Sequence, residues 1–287
     1  MIEPLVDLTR AESPKLEARV GGGVSAYGLS IVISSCDAYE DLWKPYFTLF
    51  HRYWPDCPFP IYLITNKLKF DDSKVISVPV FPDRGWATVT REALERLADP
   101  YILYTHEDFF LDRKVDTSRI LKLLDYMKKR GAAYLRLYPS PGPDVVFSDL
   151  PEVGEINKGS EYRTCLQAAL WKREVMISLI RDGENPWQME ILGSQRSNEL
   201  EMPFLSAIRN PNGHEIVNPP LSYFCTAVYK GLWMREAVKF CRREGVPIDL
   251  KRRGVETVWI ETKRAVMRRV NKTRLYEVIR NVVKGKK

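Results

Sequence analysis

The chain has 287 residues, 45% of them hydrophobic and 28% charged, with 44 Lys+Arg against 37 Asp+Glu and a formal charge of +7. This composition gives a globular protein enough material to bury a core without disulfides or a structural metal, and no stretch reaches the roughly 18 consecutive apolar residues of a membrane-spanning helix. The charge is lopsided: residues 251–287 carry thirteen Lys/Arg against three Asp/Glu, a net +10, which leaves residues 1–250 at −3.

The start of the chain, with Glu3, Asp7 and Glu12, lacks the basic-then-apolar order of a secretion signal, so a cytoplasmic protein is expected. Five scattered cysteines, Cys36, Cys57, Cys165, Cys225 and Cys241, form no C-x-x-C pair and read as buried thiols. Three histidines, His51, His106 and His214, are too few for a His-rich metal site.

In chain order, residues 1–28 are polar, contain Pro4 and Pro14, and end in Gly21-Gly22-Gly23, which predicts a loose arm. Residues 29–35 are short, apolar and β-branched, as in a buried strand, and Leu42, Trp43, Tyr46, Phe47, Leu49, Phe50 and Tyr53 then recur at helical spacing. The pattern predicts further strands at 61–65, 75–78 and 101–104, with a helix at 88–97 before the last of these. A helix at about 118–130 and a strand at 133–137 follow, then a loop rich in Pro139, Pro141, Gly142 and Pro143. Beyond it come a strand at 168–171, a helix at 172–181, a late strand at 222–228 and a helix at 234–244. Strands alternating with helices predict an α/β sandwich with a mostly parallel central sheet.

Three segments carry chemistry. The strand from Tyr101 ends abruptly in His106-Glu107-Asp108. Ligands of open α/β sheets collect at the carboxyl ends of strands, where carboxylates can hold a divalent cation against phosphate oxygens. The same residues would equally serve as an acidic turn capping the next helix. In the second segment, Glu184-Asn185-Pro186-Trp187-Gln188-Met189-Glu190-Ile191, a carboxylate beside apolar neighbours could be desolvated into a general base and Trp187 could stack on a sugar ring. A helix start with Glu184 or Glu190 balancing the dipole and Trp187 in the core fits as well. The third, Asp83-Arg84-Gly85-Trp86, joins a strand to a helix, where glycine admits a ligand to the backbone, arginine pairs with phosphate and the helix start offers free N–H groups. Asp37, just past the first strand, is placed either to accept hydrogen bonds from a base or ribose or to cap a helix. His106 is a better placed metal ligand than His214, which lies in a turn-rich loop.

The stretches DLWKPYFTLFHRYWPDCPFPIYLITN, YILYTHEDFFL and ALWKREVMISLIRDGENPWQMEILGSQRS occur in an order that resembles bacterial GT-A-type glycosyltransferases of surface-polysaccharide (capsule or O-antigen) synthesis, over about residues 29–235. The resemblance implies a GT-A-like, Rossmann-type α/β/α sandwich at 29–250, with a basic helical extension at 251–287. It also implies a nucleotide-sugar donor across the strand ends and a glycan or polyprenyl-diphosphate-linked acceptor at the late loop. The family's Asp-x-Asp, which binds Mn2+ or Mg2+ with the diphosphate, here reads His106-Glu107-Asp108, making Asp108 the carried-over ligand with His106 beside it. Glu190 falls where inverting members carry the base, which implies a single displacement. Asp37, Arg84, Gly85, Trp86, Glu107, Asp108 and Arg196 are the expected donor contacts, Arg84 and Arg196 by position and chemistry only, and Trp187 is the expected acceptor contact. Two other classes could use these residues: a metal-dependent phosphodiester hydrolase, and a non-catalytic glycan- or lipid-binding protein.

In the basic tail, Val255, Val258, Trp259, Val266, Val270, Leu275, Val278, Ile279, Val282 and Val283 recur mostly at three- or four-residue steps. This amphipathic pattern suits an anionic membrane surface, docking on the body or a partner, or nucleic acid. No nucleic-acid recognition motif accompanies it, and lipid agrees with the resemblance, so a peripheral position at the inner face of the cell membrane and no nucleic-acid partner are expected.

Overall fold

The computed structural model describes residues 19–209, 216–224 and 226–271. His214, Cys225 and the tail positions from Leu275 onward lie outside these residues. The chain runs β1 (Leu29–Ser34), α1 (Glu40–Tyr53), β2 (Ile61–Thr65), β3 (Val75–Pro79), α2 (Trp86–Glu95), β4 (Tyr101–His106), β5 (Phe110–Leu111) and α3 (Thr117–Lys129). It continues with β6 (Tyr134–Arg136), β7 (Val145–Val146), β8 (Val153–Glu155), β9 (Ala169–Lys172) and α4 (Arg173–Leu179). A broken helix follows, made of α5 (Pro186–Gln188), a π turn (Met189–Gly193) and α6 (Ser194–Ser197). The last elements are β10 (Phe204–Ala207), β11 (Tyr223–Phe224), β12 (Val228–Tyr229), β13 (Leu232–Trp233), α7 (Arg235–Arg243) and α8 (Val258–Asn271).

The main sheet has nine strands in the order β3-β2-β1-β4-β9-β6-β10-β8-β7. The pairs β1–β2, β2–β3, β1–β4 and β6–β10 are parallel, while β9 is antiparallel to both β4 and β6. Side chains alternate across a strand, so β1 feeds two cores. Leu29, Ile31 and Ile33 pack with apolar residues of α1, α3 and α7, whereas Val32 packs with Ile102, Tyr104 and the inner faces of α2 and α4. Helices therefore cover both faces, and the expected α/β sandwich with a mostly parallel sheet is what the chain forms. Because β9 runs backwards, its entrance at 164–168 lies at the edge where β1 and β4 end, with Tyr104 opposite Ala169.

Several details differ from the sequence reading. The late strand is broken: β11 pairs with β5 and β12 with β13, on either side of residue 225. Residues 19–28 are tied to the body, since Val20 N–H donates to the Arg96 carbonyl and Ser25 N–H to the Asp99 carboxylate. Cys165 and Cys241 are buried as expected, but Cys36 and Cys57 are only half-buried.

Candidate active site

The direction of strand addition reverses between β1, which leads outward to β2 and β3, and β4 on its other side. A crevice opens at such a switch point beyond the carboxyl ends of the strands. Ser34 and His106, the last residues of β1 and β4, are register partners on its floor. The Trp86 indole N–H reaches both strands, donating to Ser34 Oγ (3.2 Å) and the Tyr104 hydroxyl (3.1 Å). Gly85 precedes α2 at φ +90°, a conformation that side-chain-bearing residues rarely adopt, and nothing lies within 4 Å of where a Cβ would stand. The Gly85 N–H is taken by the Asp83 carboxylate at 2.9 Å, and the ten-residue helix that follows has no side-chain cap at Gly85.

Glu107 is buried at 8% exposure. Burial pushes its carboxyl, and that of Asp108, above the usual carboxylate range, to about 6 for Asp108; the charges of Asp108 and Asp41 add to the shift at Glu107. Asp108 is anchored to the neighbouring chain: its carboxylate accepts from the Thr226 hydroxyl and its carbonyl from Ala227 N–H at 2.9 Å. Arg253 answers the acidic pair. It bonds the Asp41 carboxylate (2.9 and 3.0 Å) and the carbonyls of Ala38 and Gly231 (both 3.1 Å), and lies 4.5 Å from the Tyr39 ring centroid. Its charge favours ionisation of both Glu107 and Asp108.

Glu190 approaches from the side of the loop that enters β9. The helix carrying it starts as its sequence dictates, with Asn185 and Gln188 forming a capping box around Pro186. The following π turn is a feature found frequently at functional sites. One Glu190 oxygen, Oε1, accepts the Leu166 N–H at 2.8 Å, and Oε2 has no hydrogen-bond partner among the described residues. Burial raises the Glu190 pKa, with the Leu166 N–H and the Arg136 charge opposing. Trp187, three residues earlier, is 72% exposed and so not a core residue.

Other candidates have structural employment. The Asp37 carboxylate accepts from the N–H groups of Asn66 (2.8 Å), Lys67 (2.9 Å) and Leu68 (3.2 Å), closing the turn after β2 instead of facing a ligand. Arg196 is not free for a diphosphate: its guanidinium donates twice to the Leu179 carbonyl and forms a two-pronged pair with Glu184, both bonds at 2.7 Å. Arg84 pairs with Glu92 at 2.6 Å on the surface.

Among the described residues no three His, Cys, Asp or Glu side chains are arranged to hold a metal ion unaided, whereas an ion shared with a diphosphate takes one or two carboxylates, the number that Glu107 and Asp108 supply at the end of β4. His106 precedes them. Its ring sits between Tyr104 and Phe109 (centroids at 5.3 and 5.1 Å) and hydrogen-bonds the Leu166 backbone, and burial lowers its pKa to about 4. This neutral imidazole packs between two aromatic rings and spends one ring nitrogen on the Leu166 backbone.

Sequence reasoning missed Arg253, Tyr39 and the backbone of Leu166. Arg253 stands in Lys251-Arg252-Arg253, whose charges were credited to the tail. Its neighbour Arg252 also turns back, pairing with Glu40.

No family model matches the chain, and no curated protein matches it. Among solved structures, S. aureus TarS 1-349 in complex with UDP-GlcNAc is 9% identical with a TM-score of 0.43, covering 65% of this chain and 60% of that one. The mannosyltransferase PcManGT from Pyrobaculum calidifontis, in complex with GDP-Man and Mn2+, is 10% identical with a TM-score of 0.43, covering 76% and 60%. An active-site mutant of LgtC is 10% identical with a TM-score of 0.41, covering 75% and 95%. The chain thus spans about 60% of the length of the TarS fragment and of PcManGT.

Proposed function

We propose that the chain is a GT-A-type glycosyltransferase that moves a sugar from a nucleotide-sugar donor to a glycan or a polyprenyl-diphosphate-linked acceptor, in surface-polysaccharide synthesis. The observation that carries this reading is Glu190, a half-buried carboxylate held by one oxygen at the rim of the strand-end crevice. Its other oxygen takes the proton of the acceptor hydroxyl as that oxygen forms its bond to the anomeric carbon. The bond from this carbon to the donor phosphate breaks on the opposite side and the nucleoside diphosphate leaves, so the configuration inverts. Negative charge developing on the leaving group is met by the N–H groups in the first turn of α2 beyond Gly85, whose own N–H is held by Asp83 at 2.9 Å, while the Arg253 charge acts through space on Glu107 and Asp108. Asp108 and Glu107 order the donor side of the crevice. Asp108 and Glu107 would hold a divalent cation against the donor diphosphate, where the ion would offset charge on the leaving group. Trp187 offers the acceptor ring a stacking face.

The same protein would work at the inner face of the cell membrane through α8. None of the described helices is long and apolar enough to cross a membrane. One side of α8 is pinned to the body by the pairs Arg264–Glu256 (2.8 Å) and Arg235–Glu261 (3.1 Å). The other side presents Val258, Trp259 and Val266, at 59%, 69% and 51% exposure, with Lys263 over the Trp259 ring. An apolar face with an interfacial tryptophan and basic flanks suits an anionic lipid surface.

The test is a panel of nucleotide sugars, with and without manganese, scored by thermal stabilisation and by sugar transfer. A donor that raises the melting temperature, and whose sugar is transferred by the native protein but not by Glu190→Gln, is the expected result. Nucleic-acid or diphosphate cleavage without sugar transfer would replace this reading with a hydrolase.

A further inference from the structure

Arg136 lies fully buried in β6, and its hydrogen bonds go to a hydroxyl and to main-chain carbonyls instead of a carboxylate. Nη1 donates to the Pro141 carbonyl, Nη2 to the carbonyls of Tyr162 and Arg163, and Nε to the Tyr134 hydroxyl at 3.0 Å. A guanidinium stays charged at any working pH, and burying it without a carboxylate in contact is costly. The proposed chemistry makes no use of it so far.

The Nε branch leads to Glu190. Residues 134 and 136 stand two apart on β6 and share a face, which brings the hydroxyl beside the guanidinium. A guanidinium only donates, so the Tyr134 oxygen accepts from Arg136 and turns its own proton to the Cys165 carbonyl, 3.1 Å away. That carbonyl and the Leu166 N–H are two ends of one peptide unit, and the N–H donates to Glu190 Oε1 at 2.8 Å. Three hydrogen bonds, all donating in the same direction, thus run from a buried cation to the carboxylate, and each polarises the next. The titratable groups that face Glu190 among the described residues are Arg136 and the Cys165 thiol, which burial keeps neutral; His106, across Leu166, is neutral as well. We propose that Arg136 is a positioning residue for Glu190, acting through the Tyr134 hydroxyl and the peptide between Cys165 and Leu166 to anchor Oε1 and leave Oε2 to take the proton. This inference rests on Glu190 being the base.

The test follows Glu190 itself. The full-length protein is prepared with glutamate isotope-labelled at Cδ, and the Glu190 resonance, identified by its absence from Glu190→Gln, is titrated against pH by NMR. Tyr134→Phe keeps the ring and cuts the relay, so Glu190 should hold its proton about twofold or more tightly, a rise of about 0.3 in its titration midpoint. Arg136→Met removes the cation at the head of the relay and should tighten proton binding about fivefold or more. Tyr223→Phe is the control: this hydroxyl accepts the Ala168 N–H at 3.2 Å in the same loop but stands outside the relay, and its loss should leave the midpoint at the native value. Thermal melting checks that each variant is folded. A native midpoint in either relay variant overturns the inference, and so does an equal rise in Tyr223→Phe, which would reduce Tyr134 to a loop anchor. The acid limb of sugar transfer should move with the midpoint. A midpoint that moves while the limb stays removes Glu190 as the base and leaves the relay standing, so the two failures are separable.

Discussion

Glu190 and His106 hang from one residue: the Leu166 N–H donates to the Glu190 carboxylate at 2.8 Å, and the Leu166 backbone also holds the His106 ring. The candidate base is thereby fixed to the end of β4 through main-chain atoms, a link that survives any non-proline side-chain change at Leu166.

Glu190→Gln keeps an oxygen for the Leu166 N–H, so it should fold, while transfer falls by about 100-fold or more. Burial raises the pKa of Glu190, so native turnover should decline as pH falls through that raised value, and the acid limb should vanish from the variant's residual rate. The fold binds this proton more tightly than the unfolded chain does, so ionising Glu190 costs stability as pH rises above the ordinary carboxylate range. At pH 8 the variant should melt no lower than the native protein, and a clearly lower melting temperature would argue against a desolvated carboxylate.

His106 gives a pH signature of opposite sense. It stays neutral in the fold down to about 4, whereas the unfolded chain takes up a proton near 6.5. Its contribution is therefore intact above 6.5 and lost as pH falls from there to about 4. His106→Gln, whose amide can still donate to Leu166, should show a shallower decline in the urea midpoint across that window, and identical slopes would refute the neutral, buried ring.

The Arg253–Asp41 pair is nearly dry, with side-chain exposures of 9% and 2%. Arg253→Ala strands the Asp41 carboxylate and should cost about 2–4 kcal/mol, much of it recovered in the double variant with Asp41→Asn. Donor affinity, measured by titration calorimetry, should stay low in that double variant, because restored stability does not restore the cation beside Glu107.

Asp37→Ala removes the acceptor of three backbone N–H groups after β2. A loss of about 1–3 kcal/mol is expected in chemical denaturation, with donor binding by the remaining folded protein little changed. A donor-binding defect without loss of stability would return Asp37 to the ligand.

Trp259→Glu/Val266→Glu alters only the exposed face of α8. The melting temperature should hold while co-sedimentation with anionic vesicles is lost; retained co-sedimentation would place the attachment elsewhere.

The centre of the fold was legible because β1, β2 and β4 are continuous apolar runs that must be buried on both faces, as parallel strands are. The two-residue strands β5, β7, β11, β12 and β13 were not, since a period of two cannot declare itself in two residues. Nor could the sequence show that β9 runs backwards, because its alternation looks the same in either direction. Glu190 and Gly85 could be singled out by residue type, a carboxylate among apolar residues and a glycine at a strand-to-helix joint, although helix starts and ordinary loops use the same residues. Asp37 and Arg196 had the right chemistry, but their partners, the turn at 66–68 and the Leu179 carbonyl, are distant in sequence. Arg253 was hidden for the converse reason: in a basic run, one inward-turning arginine looks like its solvated neighbours.

The reversed strand has a consequence for how such a protein can change. The side of the crevice proposed for the donor is built on loops that leave strands, after β1 and β4, whereas Glu190 is tethered to the loop that enters β9. The two halves therefore belong to separate stretches of chain that meet at one edge. The loop that enters β9 is therefore a joint: through Leu166 it bonds both the helix that carries Glu190 and the end of β4, so a change in its length moves both sides of the crevice at once.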